Sequence, residues 1–134
     1  MNRLLLDTSA YSAYRLGHLQ LREELREAEA ICMSPIVLGE LRSGFLGGRK
    51  GQANETELQT FLSTPRVRIV EIGEETSYRY GVIVSYLRGI GVPIPTNDAW
   101  IAASAMEHGL AVLTTDTHFQ RVPQIRVIHH PPRA

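Results

Sequence analysis

What the chain lacks narrows it first. It has one cysteine, Cys32, in 134 residues. No intrachain disulfide and no cysteine-built zinc site can form, and a reducing compartment suits it. It has one lysine, Lys50, against thirteen arginines. Arginine suits bidentate contact with phosphate or carboxylate, although codon bias would produce the same ratio. Neither sign of charge dominates, since fourteen basic and fourteen acidic side chains leave a formal net charge of zero. Any nucleic-acid contact must then rest on a local patch. No apolar run approaches the ~20 residues that span a bilayer. Leu4–Leu6 is too short for a signal peptide, and Asp7 interrupts it. These shortages predict a cytoplasmic protein without membrane contact.

What remains is an ordinary globular composition, with 43% hydrophobic and 21% charged residues, and we expect one domain over 1–134. Leu4–Leu6 reads as a strand buried on both faces, and Ala30–Met33 as a second. Ser34-Pro35 opens a helix, with Ser34 as N-cap and Pro35 at the first helical position. Leu21, Leu25 and Ala28 share one face of a charged helix between these strands. "FLGGRKGQANE" is Gly-rich and polar and reads as a flexible stretch. Leu58, Phe61 and Leu62 mark a helix that stops at Thr64-Pro65. Val67–Ile72 alternates as a half-buried strand near an edge. Tyr80, Ile83, Val84 and Leu87 recur at helical spacing, and "GVPIPTND" is a rigid turn. Ala99–Glu107 reads as a helix closed by Gly109, Ala111–Leu113 as a fourth strand and Ile125–Ile128 as a fifth. The tail "HHPPRA" reads as frayed. Strands alternating with helices predict an α/β fold with a mainly parallel sheet.

The chain has only three aspartates. Asp7 ends the first strand in "RLLLDTSAY". Asp116 follows the fourth in "VLTTDTHF". Ligands of open α/β sheets bind outside the carboxyl ends of the strands, where both are placed. Asp98 opens the alanine-rich helix and heads its apolar stripe of Ile101, Ala102 and Ala105. Glu40 flanks the apolar arc of Val37, Leu38, Leu41 and Phe45. Each acid also has a structural reading. Asp7 would cap a helix starting at Thr8, Asp98 would be a first-turn dipole partner, Asp116 would make an Asx turn, and Glu40 would pair with Arg42 or water. Taken together, these readings require four coincidences at one sheet edge. Carboxylates converging at ~5 Å in an effective dielectric of ~20 repel by about 3 kcal/mol per pair, which only protonation or a cation relieves. Oxygen ligands without cysteine or paired histidine favour a hard ion, Mg²⁺ or Mn²⁺.

The stretches "LLLDTSAY", "SPIVLGELRSG", "TNDAWIAASAMEHG" and "LTTDTHFQRV" together resemble the PIN-domain ribonucleases, and among them the VapC-type toxins of bacterial toxin–antitoxin pairs. The resemblance covers nearly the whole chain. It implies a three-layer α/β/α sandwich around a parallel five-stranded sheet with the first strand central. It makes Asp7, Glu40, Asp98 and Asp116 the catalytic acids and metal ligands, with Thr8 and Thr114 as supporting hydroxyls. It further implies Mg²⁺ or Mn²⁺ as cofactor, RNA as substrate, a homodimer, and a small antitoxin as inhibitory partner. Asn97 and Trp100 depart from the family pattern in a way that touches packing and substrate choice.

Other signals carry less. "SGFLGGRKG" lacks the Gly-Lys-Ser/Thr of a phosphate loop, although it and Arg42 remain candidates for RNA phosphate contact. His118 in "DTH" reads as a surface residue rather than a ligand, since no second histidine stands at metal spacing, and His129-His130 is similarly weak. Tyr78, Tyr80 and Tyr86 read as core and dimer packing. Two other functions stay open. A phosphoaspartyl protein wants a second aspartate at position 9, which is Ser9, or a late lysine. A PIN-like module binding RNA or protein without cleavage would be expected to have lost a carboxylate, and this chain keeps four. An acidic pocket beside apolar helix faces also suits an arginine from a partner whose helix lies in the groove.

Overall fold

The computed structural model describes residues 1–132. In chain order it runs β1 (Arg3–Leu6), α1 (Thr8–Arg15), α2 (Leu19–Glu27), β2 (Ala30–Met33), α3 (Pro35–Leu46), α4 (Gly51–Leu62) and β3 (Val67–Ile69). There follow α5 (Glu74–Gly89), α6 (Thr96–His108), β4 (Ala111–Thr114), a 3₁₀ turn (His118–Arg121) and β5 (Arg126–His129). The five strands form one parallel sheet in the order β3-β2-β1-β4-β5. Strand order reverses at β1. Right-handed crossovers therefore lay the helices between β1 and β3 on one face, and α5 and α6 on the other. The result is the expected three-layer sandwich. Its central strands show what two covered faces demand: Leu4, Leu5 and Leu6, and Ala111 to Leu113, are wholly buried.

The local signals act as expected. The Ser34 hydroxyl accepts from the Ile36 N–H with Pro35 in the first turn. Gly109 closes α6 at φ 65° in the left-handed region, where a side chain would strain the backbone. β3 is an edge strand, as its alternation suggests, but it is only three residues long.

Two expectations fail. "FLGGRKGQANE" is mostly helical, because α3 runs to Leu46 and α4 begins at Gly51. Only Gly47–Lys50 connect them. A Cβ at Gly51 would stand 2.5 Å from the Phe45 carbonyl oxygen, so this glycine serves close packing rather than flexibility. The start of the tail is not frayed. The His130 N–H donates to the Thr114 carbonyl, the His130 ring meets Glu24 at 2.7 Å, and the His18 ring meets the Pro131 carbonyl at 2.7 Å. Arg133 and Ala134 lie outside the described residues.

Candidate metal centre at the carboxyl edge of the sheet

Asp7 is the residue at which β1 ends and α1 begins. Its extended backbone makes it the N-cap, and its Oδ1 accepts from the Ala10 N–H at 2.8 Å. Its carboxylate also accepts from Ser9 Oγ at 2.8 and 2.9 Å, and from Thr114 Oγ1, at the end of neighbouring β4, at 2.6 Å. Ser9 is itself fixed by the Thr115 N–H at 3.0 Å. Asp7 is nearly fully buried. That burial pushes its carboxyl pKa up, the bonds from Thr114, Ala10 and Ser9 pull it down, and the charge on Asp98 pushes up again; the net shift is upward.

Glu40 projects from the flank of α3 beside buried Val37, Leu38 and Leu41. Thr8 Oγ1, from the first residue of α1, donates to its Oε1 at 2.5 Å, and Asn97 Nδ2, from the start of α6, donates to its Oε2 at 3.1 Å. Glu40 therefore joins the helix starts that carry Asp7 and Asp98.

Asp98 lies in the uncapped first turn of α6, above Ile101, Ala102 and Ala105, all buried. Burial raises its carboxyl pKa, contact with His118 lowers it, and the charges of Asp116 and Glu40 raise it; the net shift is upward. Asp116 follows β4. Its N–H donates to Thr114 Oγ1 at 2.9 Å, and its Oδ1 accepts the His118 N–H at 3.0 Å, an Asx turn. The structural readings of Asp7 as a cap and Asp116 as a turn residue thus hold, and both residues still stand in the cluster.

The structure brings Asp7, Glu40, Asp98, Asp116, Thr8 and Thr114 to one edge of the sheet. Arg42 does not join them. It faces α4 and makes a bidentate pair with Glu55 at 2.8 and 3.0 Å, because two residues of helix turn it well away from Glu40. It therefore does not support the acids, and contact with RNA phosphate stays a proposal for it.

Ser9 and Asn97, not assigned to the site from the sequence, hold Asp7 and Glu40. His118, read from the sequence as a surface residue, is only partly exposed, and its Nδ1 stands 2.8 Å from Asp98 Oδ2 and 3.1 Å from Asp116 Oδ1. One donor atom from each of Asp98, Asp116 and His118 lies within 4.8 Å of the others. The usable signal was the Asp-x-His spacing, because an Asx turn folds the histidine back over its aspartate. Oxygen donors with one imidazole nitrogen, two of the acids held at raised pKa, fit a hard or borderline divalent cation.

Residues 4–125 match the PIN domain family. Ribonuclease VapC4 of Mycobacterium tuberculosis is 38% identical over 72% of this chain and 74% of its own length. Ribonuclease VapC2 of Rickettsia felis is 31% identical over 77% and 76%. Among solved structures, VapBC2 of Rickettsia felis bound to a DNA fragment from its promoter superposes with a TM-score of 0.82 at 25% identity, covering 95% of this chain and 98% of that one. A match across almost the whole sheet and its edge, with relatives above 30% identity over most of their length, makes this chain a member of the PIN-domain family and, within it, of the VapC-type ribonucleases of toxin–antitoxin systems.

Proposed function

We propose that this protein is an endoribonuclease toxin that hydrolyses RNA phosphodiester bonds, with Asp7, Glu40, Asp98 and Asp116 as its catalytic acids and as ligands of Mg²⁺ or Mn²⁺. The observation that carries the reading is convergence. Acids from four separated segments meet at one edge, where burial raises the carboxyl pKa of Asp7 and Asp98 and the charges of neighbouring acids add to it, Asp98 at Asp7, and Asp116 and Glu40 at Asp98. Four acids that repel gain from a shared cation and from little else. Such an ion, when bound, makes water a better nucleophile and neutralises charge developing on the departing oxygen.

The chain's own groups supply orientation. Thr114, Ser9 and the Ala10 N–H leave the Asp7 carboxylate no freedom to rotate. Thr8 and Asn97 fix both oxygens of Glu40. Addition of water at phosphorus breaks the P–O3′ bond and leaves 5′-phosphate and 3′-hydroxyl ends. With zero net charge, recognition rests on few contacts, which suits a short single-stranded or looped RNA. Several structural neighbours are toxin–antitoxin complexes; by that likeness this chain takes a small antitoxin, and its pairing as a homodimer is a further part of the proposal. No described helix is long and apolar enough to cross a membrane, and the reading places the protein in the cytoplasm.

The test combines unfolding with cleavage. The wild type should cut single-stranded RNA with Mg²⁺ or Mn²⁺ and not with EDTA, and either ion should raise its unfolding midpoint. Asp98→Asn should lose ~10²-fold or more of the activity together with the midpoint response. Full metal-dependent cleavage by Asp98→Asn would refute the reading. RNA binding with no cleavage by wild type would favour the binding module.

A further inference from the structure

His118 is a part of the cluster that a four-acid site leaves unused. It enters through the Asx turn at Asp116, which aims the ring across the crevice at α6. Its Nδ1 meets Asp98 Oδ2 at 2.8 Å and Asp116 Oδ1 at 3.1 Å. Nδ1 is hydrogen-bonded to Asp98 Oδ2 and lies against Asp116 Oδ1 as well, which also accepts the His118 backbone N–H at 3.0 Å. One ring nitrogen directed at two carboxylates is directed at the space they share.

The spacing has a second meaning. Donors in adjacent positions around an octahedral ion at 2.0–2.1 Å stand about 2.9 Å apart, close to both observed separations. The other imidazole nitrogen, Nε2, has no partner among the hydrogen bonds of the described residues and stays available to carry the ring proton, since a third of the side chain remains exposed. The ring can therefore present the Nδ1 lone pair inward as the neutral Nε2–H tautomer.

We propose that His118 is itself a metal ligand through Nδ1, giving the centre a mixed oxygen and nitrogen donor set that favours Mn²⁺ over Mg²⁺. The proposal rests on the metal-site reading above. Imidazole suits transition metals, whereas Mg²⁺ prefers oxygen and surrenders its waters reluctantly. On binding, the proton shared between Nδ1 and Asp98 leaves for Nε2 or for water, and the Nδ1 lone pair goes to the ion.

Pulsed electron paramagnetic resonance of the full chain loaded with Mn²⁺ tests this without reference to activity. The expected result is a directly coordinated ¹⁴N coupling in the wild type that disappears in His118→Phe and in His118→Gln. Alongside it, calorimetric titration should show the Mn²⁺ dissociation constant rising about tenfold or more in those variants, with the Mg²⁺ constant changing much less. Three results would overturn the proposal: bound Mn²⁺ without nitrogen coupling, a coupling that survives loss of His118, or equal weakening of both ions, which would mark His118 as only a positioning partner of Asp98. Binding of neither ion by wild type would overturn the metal-site reading with it. Bound Mn²⁺ that lacks nitrogen coupling and is lost in Asp98→Asn would leave that reading standing.

Discussion

Asp7 and Asp98 are both aspartates at helix starts, and burial raises the carboxyl pKa of each. They are held in opposite ways. Asp7 is the N-cap of its helix and accepts from Ser9 and Ala10, inside its own turn, and from Thr114 on the adjoining strand. Asp98 is no cap. Among the described residues its carboxylate meets only the ring of His118, twenty positions away. The first acid is part of what makes α1 a helix. The second is mounted on a helix that would form without it, built on alanine and closed by Gly109. The proposed metal site, which combines one acid built into its helix with one that its helix does not need, would lose metal binding in two ways, with or without loss of stability.

Stability of chelated protein exposes this contrast most sharply. Asp7→Ala removes a cap and strands the Thr114 and Ser9 hydroxyls, while relieving one buried charge. The net cost should be about 1–2 kcal/mol, roughly 4–8 °C in the unfolding midpoint. Asp98→Asn removes a charge that burial and its neighbours disfavour, so its midpoint in EDTA should equal or exceed that of the wild type. If both variants fall together, Asp98 is as structural as Asp7 and the contrast is broken.

The same contrast should appear against pH. A carboxyl group whose folded pKa is raised binds more protons in the native than in the unfolded state. Its contribution therefore falls as pH rises from the unfolded value, ~3.9, through the raised folded value. Metal-free wild type should lose stability relative to Asp98→Asn across that window, measured as the difference between their midpoints from about pH 4 to 7. Saturating metal should reverse the sign at neutral pH, because the ion favours the ionised form. A flat difference would mean that the cluster does not carry the repulsion its geometry implies.

The smallest effect belongs to the far face of α3. Arg42 lowers the pKa of Glu55 by its hydrogen bonds, but the pair is well exposed and screened by water. Arg42→Gln should leave RNA cleavage and the midpoint unchanged within error. A drop in cleavage alone would return Arg42 to the substrate path.

Much of the fold was legible because its signals are short-ranged. A short leucine run that stops at an aspartate suits a strand covered on both faces, Ser34-Pro35 starts a helix by cap and fixed φ, and Gly109 ends one. The glycines at 47–51 misled because glycine permits flexibility without requiring it, and only the approach of Gly51 to Phe45 reveals the tight packing between α3 and α4. Asp7 and Asp116 were legible because strand ends are where a parallel sheet collects ligands, and Asp98 and Glu40 because each sits beside the apolar stripe of its helix. Cap and ligand were treated as rivals at Asp7, yet a carboxylate has lone pairs enough for both.

The sequence by itself determined most of the elements, the edge at which the acids emerge and the family that shares them. Capping, periodicity and β-branching act within a few residues and do not depend on the rest of the chain. Only the tertiary structure decided which donors hold which acid. Thr8 finds Glu40 across 32 positions, Thr114 finds Asp7 across 107, and His118 finds Asp98 across 20. Such pairs exist because the sheet brings β1 and β4 side by side and the crossovers bring three helix starts to one crevice. The resulting distances are set by packing, on which no spacing along the chain bears.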